Sequence, residues 1–177
     1  MLILVLFICV GMFIFFVIQL LTDFVVDAPF VPIPNGIDAV IIENLNLNSN
    51  STLFDLGCGD GRVLIDASRK FPTIEAIGVE IAYFPYLMAK FKSRNYRNIK
   101  ILRRNIFQTD ISSASHIFLY LCPEILDRLL PIIKKECRPG TTIVSCDFKF
   151  KDLEPKKVVD TGIKNSLRGK KILVYKV

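Results

Sequence analysis

The stretch Leu53-Phe54-Asp55-Leu56-Gly57-Cys58-Gly59-Asp60-Gly61-Arg62-Val63 decides the fold. A short apolar run ends in an acid, and three glycines follow at alternate positions. A buried strand that opens into a glycine-rich turn and then a helix is a ligand corner of an α/β sheet. Missing side chains let the backbone approach a ligand, and the helix presents its N-terminus. The spacing separates this turn from two better-known ones. The dinucleotide loop is G-x-G-x-x-G with a pyrophosphate over the helix start, and a P-loop ends in Gly-Lys-Ser/Thr. Here the pattern is G-x-G-x-G, no such lysine follows, and Asp55 and Asp60 flank it. Two carboxylates repel a pyrophosphate and welcome a cation.

Working outward, Ala76–Glu80 reads as the next strand and ends in an acid 19 positions after Gly61. That is close to the ~20 at which an acid meets ribose hydroxyls in nucleotide-binding units of this kind. A carboxylate can accept from both hydroxyls at once. A ribose at one end and a cation at the other describe S-adenosylmethionine (SAM), which carries an ammonium and a sulfonium. The competing reading is a tight structural turn with two surface acids.

The rest of the chain alternates. Thr52–Asp55, Ala76–Glu80, Ile99–Arg103, His116–Leu121, Thr141–Cys146, Lys156–Thr161 and Lys171–Tyr175 read as strands. Arg62–Lys70, Pro85–Arg94 and Pro123–Cys137 read as helices between them. Alternation of this kind argues for a parallel sheet covered on both faces. The last two strands are joined only by GIKNSLRG, which predicts an antiparallel return at one edge. Ahead of the glycine loop, Asn35 is placed to cap a helix over Gly36–Asn44.

The N-terminus is different in kind. Residues 1–21 hold no charged side chain, and about 20 apolar residues match a bilayer core of ~30 Å. Leu2–Leu21 reads as one transmembrane helix. A cleaved signal peptide would need a basic start and a shorter apolar core. The expected organisation is a transmembrane helix over 1–22, a linker with a pre-motif helix over 23–50, and a catalytic domain over 51–177. The first basic residue after the helix is Arg62, so flanking charge does not fix the orientation.

Phe54–Arg62 resembles the first motif of class I SAM-dependent methyltransferases, and Val79-Glu80 their second. PFVPIP (29–34), NIFQTDIS (105–112), FLYLCPEIL (118–126) and RPGTTIVSCDF (138–148) are similar, in order and spacing, to a small family of lysine N-methyltransferases. It includes a broad-specificity archaeal enzyme and mitochondrial enzymes that modify the adenine nucleotide translocase and the ATP synthase c-subunit. The resemblance implies a Rossmann-like seven-stranded sheet with an antiparallel last strand. It implies that Asp55, Gly57 and Gly59 hold the methionine end of SAM, Glu80 the ribose, and Asn105 with Ile106 the adenine; Cys58, Asp60 and Ile81 would also line the cofactor. Tyr120 and Leu121 would face the methyl group. Relatives usually carry Tyr where this chain has Phe30.

For such a reaction the nucleophile is a neutral amine, whereas free lysine has a pKa near ~10.4. Burial and a nearby positive charge lower it, so no dedicated base is expected. Tyr120, Phe30 and Phe148 are candidate channel walls, since aromatic faces favour ammonium groups. Asp147 is a candidate for holding the incoming lysine. Each also has a structural reading: Phe148 as core, Tyr120 as strand-end packing, Asp147 as surface. His116, the only histidine, begins a strand away from the site end and reads as structural. Cys9, Cys58, Cys122, Cys137 and Cys146 form no CxxC pair and no metal-ligand cluster, which fits a reducing compartment.

The chain carries a net charge of +6, and Lys90, Lys92, Arg94, Arg97, Lys100, Arg103 and Arg104 occur without an intervening acid. A solvated face accounts for most such runs; near a membrane they also contact anionic lipid headgroups. A membrane anchor makes nucleic acid an awkward partner. SAM is made in the cytosol, so the expected topology is single-pass with the catalytic domain facing the cytoplasm. The expected substrate is a membrane or membrane-associated protein presenting a lysine. Methylation of a lipid or quinone-type molecule, or SAM binding without turnover, are the other readings.

Overall fold

The computed structural model describes residues 2–24, 32–34, 36–163 and 166–177, with side chains for all of these except 2 and 18–24. Helix α1 (Leu2–Phe24) is followed by α2 (Asp38–Leu45), then β1 (Thr52–Leu56), α3 (Arg62–Lys70), β2 (Glu75–Val79), α4 (Tyr83–Ser93) and β3 (Ile99–Leu102). A 3-10 turn (Ile106–Gln108) leads to β4 (His116–Leu119), α5 (Pro123–Glu136), β5 (Thr142–Cys146), β6 (Lys157–Asp160) and β7 (Lys171–Lys176).

The seven strands form one sheet in the order β3-β2-β1-β4-β5-β7-β6. The first five are parallel, and β7 runs antiparallel to both β5 and β6. The expected antiparallel return is present, but β7 inserts between β5 and β6, so β6 and not the last strand forms the edge. This is the sheet of a Rossmann-like methyltransferase.

Side chains alternate faces along each strand, as a period of two requires. Phe54 and Leu56 of β1, Ile77 and Val79 of β2, and Ile117 and Leu119 of β4 pack with Leu126, Leu129 and Ile133 of α5. Leu53, Ala76, Phe118 and Val144 point the other way, into a second core with Ile41 and Leu45 of α2, Leu64 of α3 and Ala89 of α4. Strands covered on both sides read as continuous apolar runs. Asp55 therefore stands out as the acid inside β1, only 3% exposed.

The expected helix over Gly36–Asn44 begins later, at Asp38, with Ile37 in the N-cap position and no side-chain cap. Asn35 and Phe30 lie outside the described residues. The Leu2–Leu21 expectation is met as a helix, α1. Among the described residues, however, no helix is long and apolar enough to cross a membrane. The large apolar side chains of α1 from Ile3 to Phe16 are exposed.

Candidate active site

The parallel strands deliver their carboxyl ends to one edge of the sheet, and β1, β2 and β4 end there side by side. The glycine loop turns off β1 with positive φ at three residues, 85° at Gly57, 54° at Gly59 and 76° at Gly61, which only glycine adopts without strain. Its amides already have partners. Gly57 and Cys58 donate to the Val79 carbonyl at 2.8 and 3.0 Å, and Gly61 donates to the Cys58 carbonyl at 2.9 Å. Gly59 donates to Glu80 Oε2 at 2.9 Å. Such a loop offers few N–H groups to a phosphate, which agrees with the charge argument against a pyrophosphate.

Glu80 joins the loop to the start of the next helix. Its other oxygen accepts from the Ala82 amide at 2.8 Å. The carboxylate is 7% exposed. An ionised carboxylate offers about four acceptor positions, so it can hold a loop and meet a ligand at once. Asp55 lies beside it. Burial, then the charges of Glu80 and Asp60, push its pKa well above the usual carboxylate range. A nearby positive charge would favour the ionised form of such an acid. Among the described residues no set of three His, Cys, Asp or Glu side chains is arranged to hold a metal. An organic cation with a ribose to offer fits the pair.

Two other loop residues act differently from the expectation. Both carboxylate oxygens of Asp60 are engaged: Oδ1 by Arg62 Nε at 3.0 Å, and Oδ2 by Arg62 at 3.0 Å and by Lys92 Nζ at 2.6 Å. Burial pushes its pKa up, but the hydrogen bonds and charges of Arg62 and Lys92 outweigh it, leaving the pKa lowered. Asp60 thus clamps α3 to α4. Cys58 sends its thiol inward, to within 2.8 Å of where a Cβ on Gly78 would lie. Burial, then Asp55, raises its pKa well above the normal thiol value. It is packing, with only its backbone in the loop.

At the end of β4, Leu121 packs over Gly57; a Cβ there would meet Leu121 Cδ2 at 3.0 Å. Tyr120 is half-buried and stacks on Phe148, with ring centroids 6.3 Å apart and an interplanar angle of 24°. Burial, then the Asp147 charge, lifts the Tyr120 pKa to about 12. Phe148 is presented by a tight turn: its amide donates back to the Cys146 carbonyl at 2.8 Å, with Asp147 at φ 63° between them. A non-glycine residue there is strained. The Asp147 carboxylate holds the turn by accepting from the amides of Gly169, Lys170 (2.7 Å) and Lys171 (3.2 Å). Its oxygens therefore tie this turn to the β6–β7 loop. Ser145 Oγ donates to the Phe148 carbonyl at 2.7 Å.

Asn105 caps the 3-10 turn, its side-chain oxygen accepting from the Phe107 amide at 2.9 Å, and Ile106 is half-buried beside it. Ile81, at the head of α4, is 41% exposed. His116 lies at the amino end of β4, 2.8 Å from Ser115 Oγ, far from this edge in register. Sequence reasoning missed Arg62, which also donates to the Ile33 carbonyl at 3.0 Å. It missed Lys92 too, and Gly78, whose missing side chain leaves room for Leu64, Cys58 and Ile101. The acid at 60 two residues before Arg62 was the one local signal.

The family model described as the ANTKMT methyltransferase domain matches residues 55–157, from the acid of β1 to the start of β6. The chain belongs to this family. A protein-lysine N-methyltransferase of Saccharolobus islandicus (strain REY15A) is 32% identical over 140 residues, covering 77% of this chain and 87% of that protein. Two lysine N-methyltransferases of the ATP synthase c-subunit, from Caenorhabditis elegans and Homo sapiens, are 29% and 27% identical. They match 58% and 76% of this chain, but only 54% and 58% of their own length. A solved RNA methyltransferase from Salinibacter ruber, in complex with S-adenosyl-L-homocysteine, superposes with a TM-score of 0.76 at 28% identity. It covers 82% of this chain and 93% of that one. This ANTKMT-family domain is accordingly a SAM-dependent methyltransferase. Asp55 and Glu80, at adjacent strand ends, are the residues that would hold the ammonium and the ribose.

Proposed function

We propose that the chain methylates the ε-amine of a lysine in a membrane or membrane-associated protein. α1 anchors it as a single-pass protein, and the catalytic domain faces the cytoplasm, where SAM is made. The acceptor class rests chiefly on the Tyr120–Phe148 pair at the site edge, together with the lysine-directed names of the relatives. SAM brings an electrophilic methyl group on a sulfonium. The rest falls to the chain's own residues, which must exclude water and present an amine without its proton.

Stacked aromatic faces attract a lysine ammonium. Enclosure then lowers its pKa toward the neutral form, and alignment supplies much of the remaining rate. The phenol of the pair is no base at neutral pH. Tyr120 keeps its proton, with a pKa raised to about 12. An amine needs no base once neutral, whereas a hydroxyl or carbon acceptor does. Anchoring is supported by the uncharged run over 1–21 and by the exposed apolar surface of α1. A side chain such as Phe7 at 72% exposure finds no cover on the catalytic domain.

A second reading has an observation of its own. The solved neighbour is named an RNA methyltransferase, and residues 81–109 are basic without an acid. One experiment separates the readings. The full chain in detergent is incubated with methyl-labelled SAM and fractionated membranes, cytosol, RNA and lipid extract. Label that enters protein, is destroyed by protease and survives nuclease supports the proposal. Label in RNA or lipid alone overturns the acceptor class.

A further inference from the structure

Helix α4 buries Pro85, Ala89 and Ser93 at four-residue spacing. The opposite side carries Phe84, Leu87, Met88 and Phe91, which are 45%, 42%, 43% and 66% exposed. At 3.6 residues per turn these four fall within an arc of about 100°, the width of a buried helix stripe. Ile81 adds to it at the head of the helix. An apolar stripe of this size on a surface marks an interaction site.

The surroundings of the stripe say what covers it. Residues 81–109 contain seven Lys or Arg and no Asp or Glu. Arg94 lies over the Phe91 ring at 4.0 Å, Arg103 over Tyr83 at 5.0 Å and Lys90 over Tyr86 at 5.7 Å. An apolar face bordered by cations and tyrosines is the pattern of a helix lying in a bilayer interface. Leu87 and Met88, in the middle of the stripe, suit hydrocarbon rather than phosphates or bases.

The chain also brings α4 near the proposed anchor. The Ile33 carbonyl is held by Arg62, Arg62 by Asp60, and Asp60 by Lys92 of α4. Pro32 follows Phe24 by eight residues, which span at most roughly 30 Å. We propose that α4 docks on the surface of an anionic lipid bilayer. Phe84, Leu87, Met88 and Phe91 enter the acyl boundary, and Lys90, Arg94 and Arg97 meet headgroup phosphates. This rests on the membrane reading of the previous section. α4 begins at Tyr83, three residues after Glu80, so docking brings the SAM site to the bilayer. Lysines close to the headgroup plane are then the ones within reach.

The chain contains no tryptophan, so Phe91→Trp installs a single reporter. The full-length variant is placed in nanodiscs of phosphatidylcholine, with or without phosphatidylserine, containing lipids quenched near the headgroup. In anionic discs the emission should shift to the blue and be quenched, and neutral discs should give little of either. Each basic residue near an anionic surface contributes roughly five-fold. Lys90→Glu, Arg94→Glu and Arg97→Glu together should therefore weaken docking by more than roughly a hundredfold and abolish quenching. Emission that stays water-like in anionic discs, or equal quenching in neutral ones, overturns the proposal. So does a shift produced by RNA or a soluble protein without lipid quenching. Methyl transfer by an unquenched variant removes only this inference. A chain that does not co-purify with the discs removes the anchoring as well.

Discussion

Asparagine in place of Asp55 should move two measurements in opposite directions. In the free protein the Asp55 carboxyl is buried against Glu80 and Asp60, and its pKa is raised well above the normal value. For an acid so shifted, the contribution to stability is fully present below the unfolded pKa of ~3.9. It is lost as pH rises toward the folded value. At pH 7 the wild-type carboxyl therefore penalises folding, and a neutral amide of the same shape relieves the penalty. Each kcal/mol relieved raises Tm by about 2–4 °C for a chain of this size. Binding should respond the other way. The site loses a charge-assisted hydrogen bond to the SAM ammonium, worth about 1.5–3 kcal/mol. Kd should rise by roughly 10- to 150-fold. SAM binding to the wild type should release protons wherever Asp55 is protonated in the free protein, seen as a buffer-dependent enthalpy that Asp55→Asn lacks. Thermal denaturation and titration calorimetry on the full chain at pH 7 read all three. A lower Tm in the free variant with an unchanged Kd would refute the reasoning.

Gly78→Ala places a Cβ 2.7 to 2.9 Å from Leu64, Cys58 and Ile101. Overpacking of this kind costs about 1–3 kcal/mol, to be read as a lowered Tm; an unchanged Tm would mean that the three side chains give way freely. Arg62→Ala removes one of the two cations on Asp60. It should cost roughly 2–3 kcal/mol, less than the ~3–5 kcal/mol of a fully buried pair, because Arg62 is 27% exposed and Lys92 remains. Asp60 has a lowered pKa, so its contribution is present above ~pH 3.9 and lost as pH falls through the folded value. The acid limb of the stability curve should accordingly be flatter in Arg62→Ala. Tyr120→Phe keeps the ring stack and should preserve the rise of kcat with pH, whereas Tyr120→Ala should lower kcat/KM at least about tenfold. A pH profile that loses a limb in Tyr120→Phe would make the phenol a proton carrier.

How much of this was legible in the sequence depended on the range of the contacts. The β1–loop–α3 corner was readable almost to the residue, and α3 spans Arg62–Lys70 as expected. Its signals are local: an apolar run, glycines at turn positions, and Arg69 and Lys70 in the last helical turn. The acid at the end of β2 was readable for the same reason. α4 begins at Tyr83, two residues before the expected Pro85, because proline is tolerated in a first turn. Other features were set by distant partners. Asp60 looked like a ligand-facing acid until Lys92, from a different helix, closed on it. The amides of residues 169–171 that hold the Asp147 carboxylate are more than twenty positions away in the chain. The place of β7 between β5 and β6 follows from strand order, which hairpin spacing does not encode.

The central claim is that the site methylates lysine. The most direct test is to recover protein labelled by the full chain with methyl-labelled SAM, hydrolyse it, and identify the labelled amino acid by mass spectrometry, with Asp55→Asn in parallel. Label is expected on Nε-methylated lysine, strongly reduced in the variant. Label on any other residue, or equal labelling by Asp55→Asn, would contradict it.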